Sequence, residues 1–394
     1  MELIGLVYRF DWGKIGNDSL VAQLAALNNP GFKLQANLPY AQLCVGSYPG
    51  DIAIYKESGE ALSTELPFML KVLSMNKAIS LHVHPNKTNA EYLHLREPKF
   101  YKDSWHKPEM AIALTPFVAV CGFRPLSEIK NMLMDIYPLK KFVMADSDDI
   151  DLLDAGDEQG LRNCYQRIFD RDLEAVAQCV EEISKDFGKE MCKFDVLEIF
   201  NVLKRDFPRD IGVILIFFLN VIRLEPGQAM FADAGQIHSY LAGDCIECMT
   251  PSDNAIRAGL TIKYRDTKHL SNILNYKSST AEDIIVKPER INDQQVIFKP
   301  PIEDFAVTQI TLRPEDDVYV LQIEQSPGIM LVLCGQRTFE VNGVKQTQLK
   351  RGSILFLPFE AGTELRFLAS GDEKESFVAY ISTANTPPNP TTDT

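Results

Sequence analysis

Ala78–Glu109 reads AISLHVHPNKTNAEYLHLREPKFYKDSWHKPE and holds four of the six histidines in a chain of 394 residues. His82 and His84 stand two apart inside an apolar run, Ile79-Ser-Leu-His-Val-His. Alternate side chains of a β-strand share a face, so this spacing aims two imidazoles at one point. Glu109 opens a second apolar run, Met110-Ala-Ile-Ala-Leu, and can bring a carboxylate to the same point. Two neutral imidazoles and a carboxylate are donors for a divalent transition metal. Such a site needs one more protein ligand and an open position before it can do chemistry.

The fourth ligand lies far downstream. Pro226-Gly227 turns the chain, Met230 and Phe231 extend it, and Gly235-Gln-Ile-His238 follows. The order Gly227, five residues, Asp233, one residue, Gly235, two residues, His238 resembles the second cupin motif, with aspartate where proline is usual. Glycines permit the tight hairpin, and the histidine then points inward from the next strand. A weak repeat extends the pattern: Leu349-Lys-Arg-Gly352-Ser-Ile-Leu-Phe356 parallels Leu224-Glu-Pro-Gly227-Gln-Ala-Met-Phe231. Thr363 stands where His238 would be, and no histidine follows His269. The expected fold is mainly β with an α-helical insertion, built from cupin jelly-roll barrels, the second of them metal-free. One metal per chain follows.

Between the two halves of the site the pattern changes. Ile129, Met132 and Leu133 are at helical spacing, and Leu173, Val176, Ala177, Val180 and Ile183 mark one face of an amphipathic helix. The acidic run Asp146-Ser-Asp-Asp-Ile-Asp reads as a solvated loop or a helix start. The expected organisation is a catalytic domain from residues 1–126 and 221–299, a helical insertion at 127–220, a C-terminal cupin-like domain at 300–385 and a disordered tail at 386–394.

Composition narrows the partners. A net charge of -14 argues against nucleic acid, whose phosphates favour a basic surface. The amino terminus, MELIGLVYRFDWGK, has no uninterrupted apolar core, so no signal peptide is expected. The most apolar run, Ile211 to Leu224, is interrupted by Asn220 and Arg223 and falls short of the ~20 residues of a membrane span. Eight scattered cysteines suit a reducing compartment. The expectation is a cytoplasmic monomer with no nucleic-acid or membrane partner. Cys245-Ile-Glu-Cys248 lacks a second pair to complete a zinc cage, so its thiols read as core, with Glu247 pointing away from them. His94, His106 and His269 default to surface or supporting roles. Lys71, alone in the run Pro67–Ser74, either reaches the surface or enters a pocket.

Longer motifs carry a resemblance. His106-Lys-Pro-Glu-Met-Ala-Ile-Ala-Leu-Thr-Pro-Phe, Cys121-Gly-Phe-Arg-Pro, Tyr240-Leu-x-Gly-Asp-Cys-Ile-Glu-Cys-Met and Ser252-Asp-Asn-x-x-Arg-Ala-Gly resemble type I mannose-6-phosphate isomerases. The resemblance runs from Asp11-Trp-Gly-Lys to about Asp266 and more weakly beyond. It implies a zinc-dependent cupin enzyme whose metal ligands here are His84, Glu109 and His238. The family's fourth ligand is a glutamine, and His82 stands in its place. Three histidines and a glutamate also suit iron and manganese cupins, so one Zn2+ per chain is expected with Fe2+ or Mn2+ as alternatives. Leu43-Cys-Val-Gly-Ser-Tyr48 departs from the family's Leu-Trp-Met-Gly-Thr-His. Trp12, Lys71, Ser80, Lys107, Tyr240, Glu247, Asp253, Arg257 and Lys263 match the family pattern.

The implied reaction is reversible isomerisation of mannose 6-phosphate and fructose 6-phosphate through a cis-enediol, supplying mannose for GDP-mannose and glycosylation. The metal would act as a Lewis acid on the substrate oxygens. Arg257, Glu247 and Lys107 are the catalytic candidates: Arg257 for charge stabilisation or ring opening and Glu247 as proton shuttle. Trp12, Lys71, Ser80, Tyr240, Asp253 and Lys263 are the substrate-binding candidates. Two other readings are an iron or manganese cupin oxidoreductase and a non-catalytic sugar-phosphate-binding homologue.

Overall fold

Apolar runs cut by glycine and proline favour strands, and strands form where those runs occur. The computed structural model describes residues 1–323, 327–358, 362–369, 371 and 374–385, so the expected tail at 386–394 lies outside the described residues. Strands β1 (Leu6–Tyr8), β2 (Gln42–Val45), β3 (Met69–Met75), β4 (Leu81–Val83), β5 (Glu109–Ala113) and β6 (Phe117–Phe123) precede a helical segment. Strands β7 (Leu219–Leu224), β8 (Ala229–Ala232), β9 (His238–Met249), β10 (Ile256–Gly259) and β11 (Ile285–Val286) follow it. All eleven belong to one branched sheet.

Its hub is β9. The first half of β9 pairs with β4 and β6, and the second half with β3 and β5. Beyond the hub, β5 leads through β8 to β11, β3 leads through β2 to β1, β4 carries β10, and β6 carries β7. A one-residue bulge falls between Tyr240 and Ala242, opposite Ala119 and Val118. An extra residue flips the face of every side chain beyond it. His238 and Tyr240 before the bulge therefore face the same interior as Cys245, Glu247 and Met249 after it. Gly243 is required here: its φ is +110°, and a Cβ would lie 2.6 Å from the Pro116 carbonyl oxygen. Cys245 thus shares the face of Glu247 and packs with Leu73 and Ala113, while only Cys248 points away, into the core of Ile246 and Val72. This corrects the expectation that both thiols oppose Glu247.

The expected pair of cupin barrels is met in its coarser part, a mainly β chain with a helical segment. Among the described residues the eleven-stranded sheet does not close on itself, because β1, β7, β10 and β11 each pair on one side only. Apart from two short two-stranded pairings, Leu3–Ile4 with Ile54–Tyr55 and Lys14–Ile15 with Pro39–Tyr40, the remaining β structure runs from Glu289 to Thr383 and forms a six-stranded and a four-stranded sheet around their own core. Leu43, Leu70, Val72, Met110, Ile112 and Ile246 on the outer face of the first sheet pack on Phe298, Val307, Ile329, Leu331, Phe356 and Tyr380.

From Leu126 to Phe218 the chain is helical. The helix Leu173–Asp186 buries Val176, Cys179, Val180 and Ile183, whereas Leu173, in its first turn, is exposed. The acidic run starts a helix, Ser147–Asp154, with Asp146 and Asp149 forming a capping box. Asp149 is not solvated. It is buried and holds Arg167 and Asn163. Burial would raise its carboxyl, but Arg167, Asn163 and the Asp146 backbone outweigh it and hold it below the ordinary carboxylate value. Asp149→Ala is expected to cost about 2 kcal/mol, from the lost capping-box bond and the lost carboxylate partner of Arg167 and Asn163. A depressed folded-state pKa stabilises fully above the unfolded value and is lost as pH falls through the folded one. The wild-type advantage in urea melts should therefore shrink in acid and be constant near neutrality.

Candidate metal centre

Register builds the site. Arg257 on β10 pairs with His82 on β4, and His82 pairs with His238 on β9. Directly opposed residues share a face, so one row of side chains crosses three strands. His84 lies two residues from His82 on that face, and Glu109 begins β5 on the other side of β9. The imidazole centroids are 4.7 Å apart for His82 and His84, 4.6 Å for His82 and His238 and 5.1 Å for His84 and His238. All four side chains are buried, and their ligating atoms lie within 4.8 Å of one another.

The donors are poised for a cation. Each imidazole holds a backbone carbonyl oxygen through Nδ1: His82 that of Ser80 at 2.6 Å, His84 that of Asn254 at 2.6 Å and His238 that of Gln236 at 3.0 Å. A carbonyl only accepts, so Nδ1 carries the proton and each Nε2 presents a lone pair. Glu109 meets two of these lone pairs, with Oε1 3.3 Å from His84 Nε2 and Oε2 3.2 Å from His238 Nε2. Lone pairs facing a carboxylate repel unless a cation lies between them, and among the described residues the buried His84 Nε2 has no hydrogen-bond partner. Burial, then the Lys107 charge, pushes His84 down to about 4, and burial with the two neighbouring imidazoles lowers His82 as well. Neutral imidazoles and an ionised carboxylate fit a divalent transition metal.

Charges ring the ligands. Lys107 Nζ lies 3.0 Å from Glu109 Oε1. Burial alone would raise Glu109, but Lys107 and the two histidines outweigh it and hold the carboxyl well below its ordinary value. Farther along the same interior, Lys71 on β3 faces Glu247 on β9, Nζ to Oε2 3.5 Å, and also contacts the Met249 sulfur at 3.0 Å. Lys71 therefore points into the buried interior and not to the surface. Burial first, and Glu109 second, raise the Glu247 carboxyl despite Lys71.

The other expected residues distribute as follows. Ser80 Oγ is 3.3 Å from His82 Nδ1, and the Tyr240 ring lies 6.0 Å from that of His238. Tyr240 is fully buried, and its hydroxyl has no hydrogen-bond partner among the described residues. Trp12 packs half-buried against the interior core and stacks on Phe10. Asp253 and Lys263 are exposed, Asp253 near enough to Arg257 to act on its charge. Cys44 lies opposite Lys71, and with Met69, Met249, Tyr8 and Tyr48 it forms a small hydrophobic cluster beside the Lys71–Glu247 pair.

Sequence reasoning missed Asp103, which accepts from Tyr48 Oη, Ser252 Oγ, Asn254 Nδ2 and the Asp253 amide. Through Asn254, whose carbonyl oxygen holds His84, it steadies a ligand. Asp103 lies in a loop without periodicity, and its signal is only the Ser252-Asp-Asn motif that it binds. Of the remaining histidines, His106 contacts Asp304 at 3.1 Å and His269 contacts Asp266 at 2.7 Å. Glu97, Asp266 and His269 form a second group with ligand spacing. Asp266 there already accepts from Tyr101 Oη and from the amide of His269.

Comparison with known proteins places the chain within one family. Residues 52–126 match the family described as phosphomannose isomerase type I, catalytic domain, and residues 296–341 match phosphomannose isomerase type I C-terminal. The mannose-6-phosphate isomerases of Bos taurus and Homo sapiens are each 34% identical over 403 residues, covering 93% of this chain and 95% of theirs. That of Schizosaccharomyces pombe is 32% identical, covering 89% of this chain and 92% of its own. The structure of a phosphomannose isomerase mutant from Salmonella typhimurium superimposes with a TM-score of 0.80 at 25% identity, covering 97% of this chain and 99% of that one. A mannose 6-phosphate isomerase bound with zinc and yttrium has the same fold, with a TM-score of 0.79 at 24% identity over 97% and 99% of the two chains.

Proposed function

The chain belongs to the type I phosphomannose isomerase family, and from that premise we infer that it interconverts mannose 6-phosphate and fructose 6-phosphate. The supporting observation is one buried interior holding His82, His84, Glu109 and His238 with Lys107, beside the Lys71–Glu247 pair. Family membership disfavours the oxidoreductase and the non-catalytic readings.

In the open-chain aldose, removal of the C2 proton and protonation of O1 give a cis-enediol. The ketose forms when O2 loses its proton and C1 gains one. Glu247 is the proton carrier in this reading: burial, and then Glu109, raise its carboxyl above the ordinary value, which makes it a better proton acceptor than a free carboxylate. Lys71 holds that carboxylate in place. Arg257 remains cationic and stabilises negative charge on the substrate oxygens, or assists ring opening. Lys107 orients Glu109, while Ser80, Tyr240, Trp12, Asp253 and Lys263 bind the sugar and its phosphate. One zinc, held by His82, His84, Glu109 and His238, supplies Lewis acidity toward those oxygens.

The same reading assigns a catalytic cupin domain to residues 1–126 and 221–299, the helical insertion to 127–220 and a cupin-like domain to 300–385. It places a monomer in the cytoplasm, and eight free cysteines fit a reducing compartment.

The test is an NMR isomerisation assay on zinc-reconstituted protein, run beside His82→Gln. The wild type should convert either sugar phosphate into the other without consuming oxygen. An amide oxygen is a weaker ligand than imidazole, so His82→Gln should bind zinc about 10–100-fold more weakly and isomerise at saturating zinc within about tenfold of wild type. Zinc-loaded protein that converts neither sugar would sink the assignment.

A further inference from the structure

Strand β10, which carries Arg257, ends at Gly259, and the chain then loops through Lys263 to Asp266, the cap of the helix Thr267–Ile273. Leu260 begins the loop buried and with φ +53°. A left-handed leucine persists only where its surroundings impose it. Here the imposing group comes from the helical segment. Asp210 Oδ1 accepts from the amides of Gly212 and Leu260, each at 2.7 Å, and Oδ2 accepts from the Thr261 amide at 3.3 Å. The backbones also touch. A Cβ on Gly259 would lie 2.7 Å from Gly212 Cα, and one on Gly212 would lie 2.6 Å from Leu260 Cγ.

The far end of the loop is pinned separately, where Tyr101 Oη donates to Asp266 at 2.8 Å, and Phe100 stacks on Tyr264 at 5.4 Å. Lys263 lies between the two anchors, exposed and without an ion pair among the described residues. A carboxylate near a phosphate-binding rim would ordinarily repel the ligand. Three amide donors occupy this one, so it organises backbone without leaving an unanswered charge.

We propose that Asp210 is a positioning residue for substrate: from the helical segment it sets the Leu260–Thr261 backbone and so aims Lys263 at the sugar's phosphate. The proposal rests on the isomerase reading for the identity of that anion, and it gives the helical segment a part in substrate binding.

Asp210→Asn tests it, because an amide must turn its NH2 toward one of the donating amides. The KM for mannose 6-phosphate and the inhibition constant for inorganic phosphate should both rise about tenfold, the worth of one charge-assisted hydrogen bond. The kcat should stay within about threefold and zinc content should stay at wild type. Amide exchange at Leu260 and Thr261 should quicken. Lys263→Ala should raise the same two constants, and the double variant should add little to it. Unchanged KM and phosphate inhibition despite faster exchange, or additive effects of the two substitutions, would reduce Asp210 to a structural contact and overturn the proposal. Should Asp210→Asn fail to fold, Asp210→Ser, which keeps one acceptor, carries the same expectations. If zinc-loaded wild type converted neither sugar, the isomerase reading would fail, and calorimetric binding of inorganic phosphate to the same variants would still decide the role of Asp210.

Discussion

Replacing Glu109 with Gln is expected to strip the centre of zinc at micromolar free metal and to lower kcat/KM by on the order of a thousandfold, about 4 kcal/mol. Glu109 is the single anion among the four candidate ligands, and each of its oxygens faces an imidazole Nε2. A glutamine keeps the shape but loses the charge and turns an N–H toward one of those nitrogens. Lys107, 3.0 Å from Oε1, would then face the metal uncompensated, which weakens binding further. Elemental analysis and the isomerase assay read the two effects together. Zinc binding also stabilises in proportion to the logarithm of its saturation, so the rise in melting temperature on adding zinc to wild type should shrink in the variant. A Glu109→Gln protein with full zinc and full activity would falsify the ligand assignment.

The second large effect is on proton transfer. Glu247→Gln cannot carry a proton, and kcat should fall by about 10²–10⁴-fold with KM within a few-fold and zinc content unchanged. The pH profile gives a sharper test. Burial, and then Glu109, hold the Glu247 carboxyl above its ordinary value, and Lys71 works against them. A base must be deprotonated to act, so the acid limb of kcat/KM should lie above the ordinary carboxylate range. Lys71→Met removes the stronger of the two lysines, Lys71 and Lys107, that lower the Glu247 carboxyl, and the limb should move to higher pH. A limb that moves to lower pH, or a Glu247→Gln enzyme with wild-type kcat, would reassign the proton carrier.

Much of the candidate site was legible because its residues obey local rules. His82 and His84 needed only the two-residue period of a strand. The position of Glu109 at the head of an apolar run announced a strand start, and the Gly235-x-x-His238 spacing announced a turn followed by an inward side chain. The helix Leu126–Asp135 and the strands on either side of Pro116 follow from periodicity and from the exclusion of proline. What could not be read was anything that depends on pairing. The bulge in β9 leaves no mark on composition, so the shared interior of His238 and Glu247 is not legible from it, whereas Cys245, two residues from Glu247, takes its face from the strand period alone. Asp149, in a run of acids that looks solvated, is buried because Arg167, eighteen residues away, packs over it.

The sequence by itself determined the ligand types, the alternation that aims them and the helical segment between the two halves, since each is set by covalent spacing and backbone period. Only the tertiary structure decided which groups meet. Arg257, His82 and His238 share a row through register alone, Lys71 finds Glu247 across two strands, and Asp210 reaches Leu260 from fifty residues away. Pairing between distant segments is chosen by the burial of whole faces, which no local stretch of chain encodes.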